Sequence, residues 1–119
     1  MALEDLQEKF AEFKQERGWE KFHKPKNIAM SISIESAELM ELFQWKDNVD
    51  IERIKSDSKL MDNIREELGD IILYSFSMAQ HLDIDLEKAV EDKLEENKDR
   101  FDTETAEEIT GDLEKWQKD

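Results

Sequence analysis

Residues 25–45 read Pro-Lys-Asn-Ile-Ala-Met-Ser-Ile-Ser-Ile-Glu-Ser-Ala-Glu-Leu-Met-Glu-Leu-Phe-Gln-Trp, and this stretch decides the fold. A proline can open a helix, because the first turn has no use for the amide proton that proline lacks. No breaker follows before Trp45, so one long helix is expected from Pro25 to about that residue. Ile28, Met30, Ile32, Ile34, Leu39 and Leu42 cover far more than one narrow stripe of it. A helix this apolar belongs at the centre of a bundle or under another subunit.

The flanking segments repeat the helical period. Leu3, Leu6, Phe10 and Phe13 fall on one side of a helix that should end near Gly18. Beyond a polar stretch, with a short helical turn expected at Val49 to Lys55, a further helix runs from about Ser58 to His81 on Leu60, Ile64, Leu68, Ile71, Ile72 and Phe76. Asp83 or Asp85 can cap a last main helix carrying Leu86, Ala89, Val90, Leu94 and Phe101. With three glycines, one proline and no internal repeat, the elements should be long and the class all-α, a four-helix bundle-like subunit. So much apolar surface on two helices of a 119-residue chain also points to assembly with further copies.

Composition narrows the functional classes. Charged residues make up 41% of the chain and apolar ones 38%, more polar than an average domain but not the apolar-poor balance of disorder. Acidic residues outnumber basic ones 32 to 17, and a net charge of -15 argues against a basic face that grips nucleic-acid phosphates. Most of these carboxylates serve solubility, yet a local concentration of them can hold a hard cation, which in turn recruits an anionic nucleotide. Without cysteine there is no disulfide framework, thiolate metal site or cysteine nucleophile. No apolar run approaches the roughly 20 residues that cross a bilayer, and no basic-then-apolar leader opens the sequence, so a cytoplasmic protein with no membrane partner is expected.

Within the two most apolar helices, carboxylates interrupt the pattern at matched spacing. Glu35 and Glu38 are three residues apart, as are Glu67 and Asp70, and groups so spaced share a helix face. Either motif alone usually marks a solvated face. If the two helices face one another, the four acids converge in a partly dry groove where repulsion and lost hydration oppose folding unless a cation enters. Mg²⁺, with Mn²⁺ as a possible substitute, suits an all-oxygen donor set that also leaves room for phosphates. A di-iron bundle would need histidine three residues after each glutamate, and Glu38 and Asp70 stand there instead. Glu41 and Glu66 are expected to face water, and His23 and His81 are assigned structural roles at helix ends.

The ordered set of Glu16-Arg-Gly-Trp-Glu-Lys-Phe-His-Lys-Pro-Lys-Asn27, Glu35-Ser-Ala-Glu38, Phe43-Gln-Trp45, Glu66-Glu-Leu-Gly-Asp70, Tyr74 and Lys93-x-x-x-Asn97 resembles the MazG-like all-α nucleotide pyrophosphohydrolases, nearest to the small dCTP-pyrophosphatase-like subgroup. The likeness covers roughly residues 5–101, so residues 1–101 are expected to form the pyrophosphohydrolase domain and residues 102–119 an acidic C-terminal tail or short helix. The resemblance implies that Glu35, Glu38, Glu67 and Asp70 bind Mg²⁺, and that a nucleoside triphosphate is cleaved between its α and β phosphates. It places Trp19, Trp45 and Tyr74 at the nucleoside pocket and Lys93 and Asn97 near the phosphates, in a homodimer or homotetramer. From the residues alone, Trp19 and Trp45 read first as core packing and only second as faces that stack on a base, and Lys93 with Asn97 as an ordinary exposed pair one turn apart. Glu38 is the expected base for the attacking water, with Glu35 able to exchange roles with it.

House-cleaning of (deoxy)nucleoside triphosphates, dCTP or related ones, is the role this implies. A pyrophosphohydrolase of a phosphoribosyl nucleotide and a non-catalytic acidic helical interaction protein are the rival readings. Where relatives carry Tyr-Pro beyond the asparagine this chain has Phe101-Asp102, and Phe10 and Phe13 stand where some relatives have a polar residue able to approach the base, so base preference stays open.

Overall fold

A computed structural model describes residues 2–47 and 50–116. Its elements are α1 (Leu3–Glu16), a 3-10 turn (Glu20–Phe22), α2 (Pro25–Glu41), α3 (Ile51–Ser56), α4 (Ser58–His81), α5 (Leu86–Arg100) and α6 (Thr103–Trp116). Among the described residues the class is thus all-α, as expected, though with two more helices than the four read from the sequence. None of these helices is long and apolar enough to cross a membrane. By contact the chain divides into two compact units, Met1–Ile84 and Asp85–Asp119.

The first unit is built on α2 lying against α4. Among the described residues its buried apolar side chains are few: Ile28 from α2 and Leu60, Phe76 and Ala79 from α4. The remaining apolar side of α2 stays open within the single chain, with Met30 54%, Ile34 55% and Met40 65% exposed. Leu68 and Ile72 of α4 are also exposed. Burial of such side chains is worth about 25 cal/mol per Å² of apolar surface, so a helix of this composition leaves much of its stabilising potential unrealised in one subunit.

Local chemistry fixes the helix ends. Gly18 takes φ +66, the left-handed conformation glycine tolerates best. There its amide donates to Gln15 O at 3.1 Å and that of Trp19 to Lys14 O at 2.9 Å, closing α1 with the paired bonds of a Schellman stop. Pro25 occupies the first turn of α2. That helix ends at Glu41, short of Trp45. The chain continues through i to i+3 bonds, Phe43 N to Met40 O at 3.0 Å and Gln44 N to Glu41 O at 3.3 Å, the tightening by which terminal carbonyls are commonly satisfied.

The helical turn expected from Val49 is α3, from Ile51 to Ser56; Val49 itself lies outside the described residues. Asp57 caps α4 by accepting from Leu60 N at 3.1 Å. Replacing it, Asp57→Ala, is expected to cost about 1 kcal/mol, read as a lower urea midpoint at unchanged slope.

In the second unit Asp85, rather than Asp83, caps α5, taking Lys88 N at 3.0 Å; Asp83 instead adopts φ +53. Asp102 accepts from Thr105 N at 2.8 Å, and this backbone bond, with help from the Thr105 side chain, holds its carboxyl below the usual range. The cap starts α6, so residues 103–116 of the expected tail are helical.

Candidate active site

Two helix faces bring the acids together. On α2, Glu35 and Glu38 are one turn apart, and across from them α4 presents Glu67; each offers a carboxylate oxygen, all within 4.8 Å of one another. Glu35 and Glu67 are half-buried and Glu38 is exposed. One oxygen on each of the two half-buried groups, Oε2 of Glu35 and Oε2 of Glu67, is enclosed and has no hydrogen-bond partner. An ionised carboxylate only accepts hydrogen bonds, so facing carboxylates cannot satisfy one another without a proton or a cation between them.

The titration of the group carries the same mark. Contact with the Glu67 carboxyl, followed by burial, pushes Glu35 above the ordinary carboxylate range. Contact with Glu35, followed by the charge of that same group, raises Glu38. Asp70 stands exposed outside the tight trio, though its charge still adds to the rise of Glu35. Orphaned acceptors, mutual repulsion and a donor set of oxygen alone fit a hard divalent cation. Glu41 and Glu66 are exposed, as expected.

The first unit also holds an aromatic run. Trp19 meets Phe13 edge-on at 5.5 Å, Phe13 stacks on Phe10 at 6.2 Å, Phe10 meets His23 at 6.4 Å, and His23 stacks on Tyr74 at 6.2 Å. Trp19 and Tyr74 are thereby the two ends of one cluster. Trp45 takes no part in these contacts and is 89% exposed in the turn after α2, which excludes a core role for it within the single chain. In the second unit Lys93 is exposed and pairs with Glu96 at 3.3 Å, while Asn97 is half-buried and its carbonyl accepts from Phe101 N at 2.8 Å.

Three residues of this region escape a reading by pattern: Lys14, Ser77 and Gln80. Lys14 is only 2% exposed and donates to Ser77 Oγ at 3.0 Å and to Gln80 Oε1 at 2.8 Å. Its one signal in the sequence is its place four residues after Phe10, on the apolar side of α1.

The model of the MazG-like family matches residues 30–119, a span that holds all four candidate acids with Trp45, Tyr74, Lys93 and Asn97. The chain belongs to the MazG-like family. Similar curated proteins are dCTP pyrophosphatase 1 of Rattus norvegicus, 37% identical over 99 residues, and dCTP pyrophosphatase 1 of Homo sapiens, 36% identical over 99 residues. Each alignment covers 83% of this MazG-like chain and 58% of the relative, so the chain spans a little over half the length of those proteins. Among solved structures, a pyrophosphatase from Archaeoglobus fulgidus matches with a TM-score of 0.75 and 36% identity, over 85% of this chain and 93% of that one. Trp19, Lys14 and His23 precede the span that the family model matches.

Proposed function

We propose that the protein is a Mg²⁺-dependent nucleoside triphosphate pyrophosphohydrolase, releasing nucleoside monophosphate and pyrophosphate in the cytoplasm. The observation that carries this reading is the pair of enclosed, unpartnered oxygens on Glu35 and Glu67, drawn together with Glu38 across α2 and α4. The names of the similar proteins favour a pyrophosphate bond of a nucleotide as the target. Glu35, Glu38, Glu67 and Asp70 would hold the cation, and Mn²⁺ could replace Mg²⁺ in the same oxygen set. When bound, such an ion neutralises phosphate charge and makes water more acidic.

The chain's own groups perform the rest. Glu38, the most accessible of the trio and raised in pKa, orients the attacking water and takes its proton. Trp19, Trp45 and Tyr74 stack on the base, at about 1–3 kcal/mol per stacked base, and Lys93 with Asn97 addresses the phosphates. Trp45 gains this role only if a base or a second subunit covers it, and the open apolar faces of α2 and α4 favour a homodimer or homotetramer. Canonical or modified deoxynucleotides, dCTP or related ones, are the substrates, in house-cleaning of the nucleotide pool.

A panel of canonical and modified nucleoside triphosphates with Mg²⁺, its products resolved by chromatography, tests the reading. Monophosphate with pyrophosphate is expected. Diphosphate with phosphate would refute the bond assignment, and turnover of a phosphoribosyl nucleotide alone would move the enzyme to another substrate class.

A further inference from the structure

We propose that Lys14 and Ser77 are positioning residues that lock His23 as the neutral tautomer protonated on Nε2 and hold its ring against Tyr74, setting one wall of the nucleoside pocket. The pocket role rests on the nucleotide reading above; the hydrogen-bond relay does not.

The relay follows from donor and acceptor inventory. Lys14 is buried beneath α4, with Nζ 3.0 Å from Ser77 Oγ and 2.8 Å from Gln80 Oε1, and it lies over the Phe10 ring at 4.8 Å. An ammonium has donors only, so Ser77 Oγ accepts from it. The same Oγ is 2.8 Å from His23 Nδ1. Ser77 is 0% exposed, and its hydroxyl hydrogen has no other acceptor among the described hydrogen bonds, so it goes to Nδ1. The ring's single proton must then sit on Nε2. The opposite arrangement would leave the serine hydrogen stranded in the interior and point two donors, the Lys14 ammonium and the Nδ1–H, at one oxygen.

The surroundings make the lock firm. Gln80 is itself tied to α1, its Nε2 donating to the Gln7 carbonyl at 2.6 Å, so the acceptor that shares Lys14 cannot swing away freely. Burial first, then the charge of Lys14 and that of His81, push the His23 imidazole below its usual value, which agrees with a neutral ring. His23 in turn stacks on Tyr74 with planes 30° apart and meets Phe10 at 65°, so its orientation passes directly to the aromatic run ending at Trp19. No carboxylate pairs with Lys14 within 4 Å among the described residues, which marks the lysine as more than half of an ion pair. A buried cation with neutral partners costs stability, and an apolar side chain would fill the space more cheaply.

The test uses Lys14→Met and Ser77→Ala with the full chain. Nitrogen–proton correlation spectra of the imidazoles read the tautomer without needing activity. The parent is expected to show His23 as the single Nε2–H form, and both variants a mixture of tautomers. In turnover assays, KM for a nucleoside triphosphate should rise about tenfold in each variant with kcat within twofold of the parent, a split that a general loss of fold would not give. Lys14→Met removes the buried charge at similar volume, so it reports even if Ser77→Ala does not fold.

An Nδ1–H or mixed tautomer in the parent overturns the relay, and unchanged KM in a variant whose tautomer has been released overturns the positioning role. A parent with the locked tautomer but no hydrolysis of any nucleoside triphosphate would sink the nucleotide reading, and the pocket role with it, while leaving the relay standing.

Discussion

Glu38→Gln is expected to lower kcat for nucleoside triphosphate hydrolysis by about 10²–10⁴-fold, the range that a positioned general base usually contributes. The substitution keeps the shape of the side chain and removes the charge and the capacity to accept a proton. Because Glu38 is exposed, the packing of α2 on α4 has little to lose, and the thermal midpoint should stay close to that of the parent. A base works best when its pKa approaches the working pH, and contact with Glu35 moves Glu38 in that direction. Glu41→Gln, one turn further along at an exposed position, is the control and should leave kcat within about twofold, since surface substitutions away from special features act weakly. Parent-like kcat in Glu38→Gln, with kcat lost in Glu35→Gln instead, would transfer the role of base to Glu35.

The sequence made the scaffold legible because hydrophobic periodicity and cap chemistry are local. Pro25, Gly18 and Asp85 act where a helix starts or stops, and the structure places those boundaries at or beside them. Glu35, Glu38 and Glu67 were legible for a different reason: a charge inside an apolar pattern costs free energy unless something offsets it, so its presence is itself informative. What local pattern could not supply was distance. Whether Asp70 would join the tight trio depends on the rotation of α4 about its own axis, and Trp45 left the expected helix because its last turn tightened. Lys14 was hidden for a further reason. A lysine at the edge of an apolar stripe usually extends into solvent, and only Ser77 and Gln80, more than sixty residues away, turn it inward.

The second large effect is a reversal of the order of stability. Without divalent cations, Glu35→Gln should be more stable than the parent by about 1 kcal/mol, because its amide can donate to the enclosed Glu67 oxygen that otherwise has no partner. With Mg²⁺ at roughly a hundred times its dissociation constant, the parent should gain about 2.7 kcal/mol, a gain the weakened site of the variant cannot match. Urea midpoints in chelator and in Mg²⁺ measure both numbers.

The dependence on pH has a defined sign. Glu35 is raised, so the folded parent takes up protons before the unfolded chain does, and cation-free stability rises as pH falls from the raised pKa toward the ordinary 4.5. Below 4.5 the gain is complete, since both states are then protonated. His23, lowered from 6.5, pulls the other way in the upper part of this window, but it is present in parent and variant alike and cancels from their difference. The stabilising effect of Glu35→Gln should therefore shrink as the solution is acidified. A variant less stable than the parent in chelator at neutral pH would mean that the two half-buried carboxylates carry no unrelieved strain. The case for a cation between α2 and α4 would then lose its physical basis.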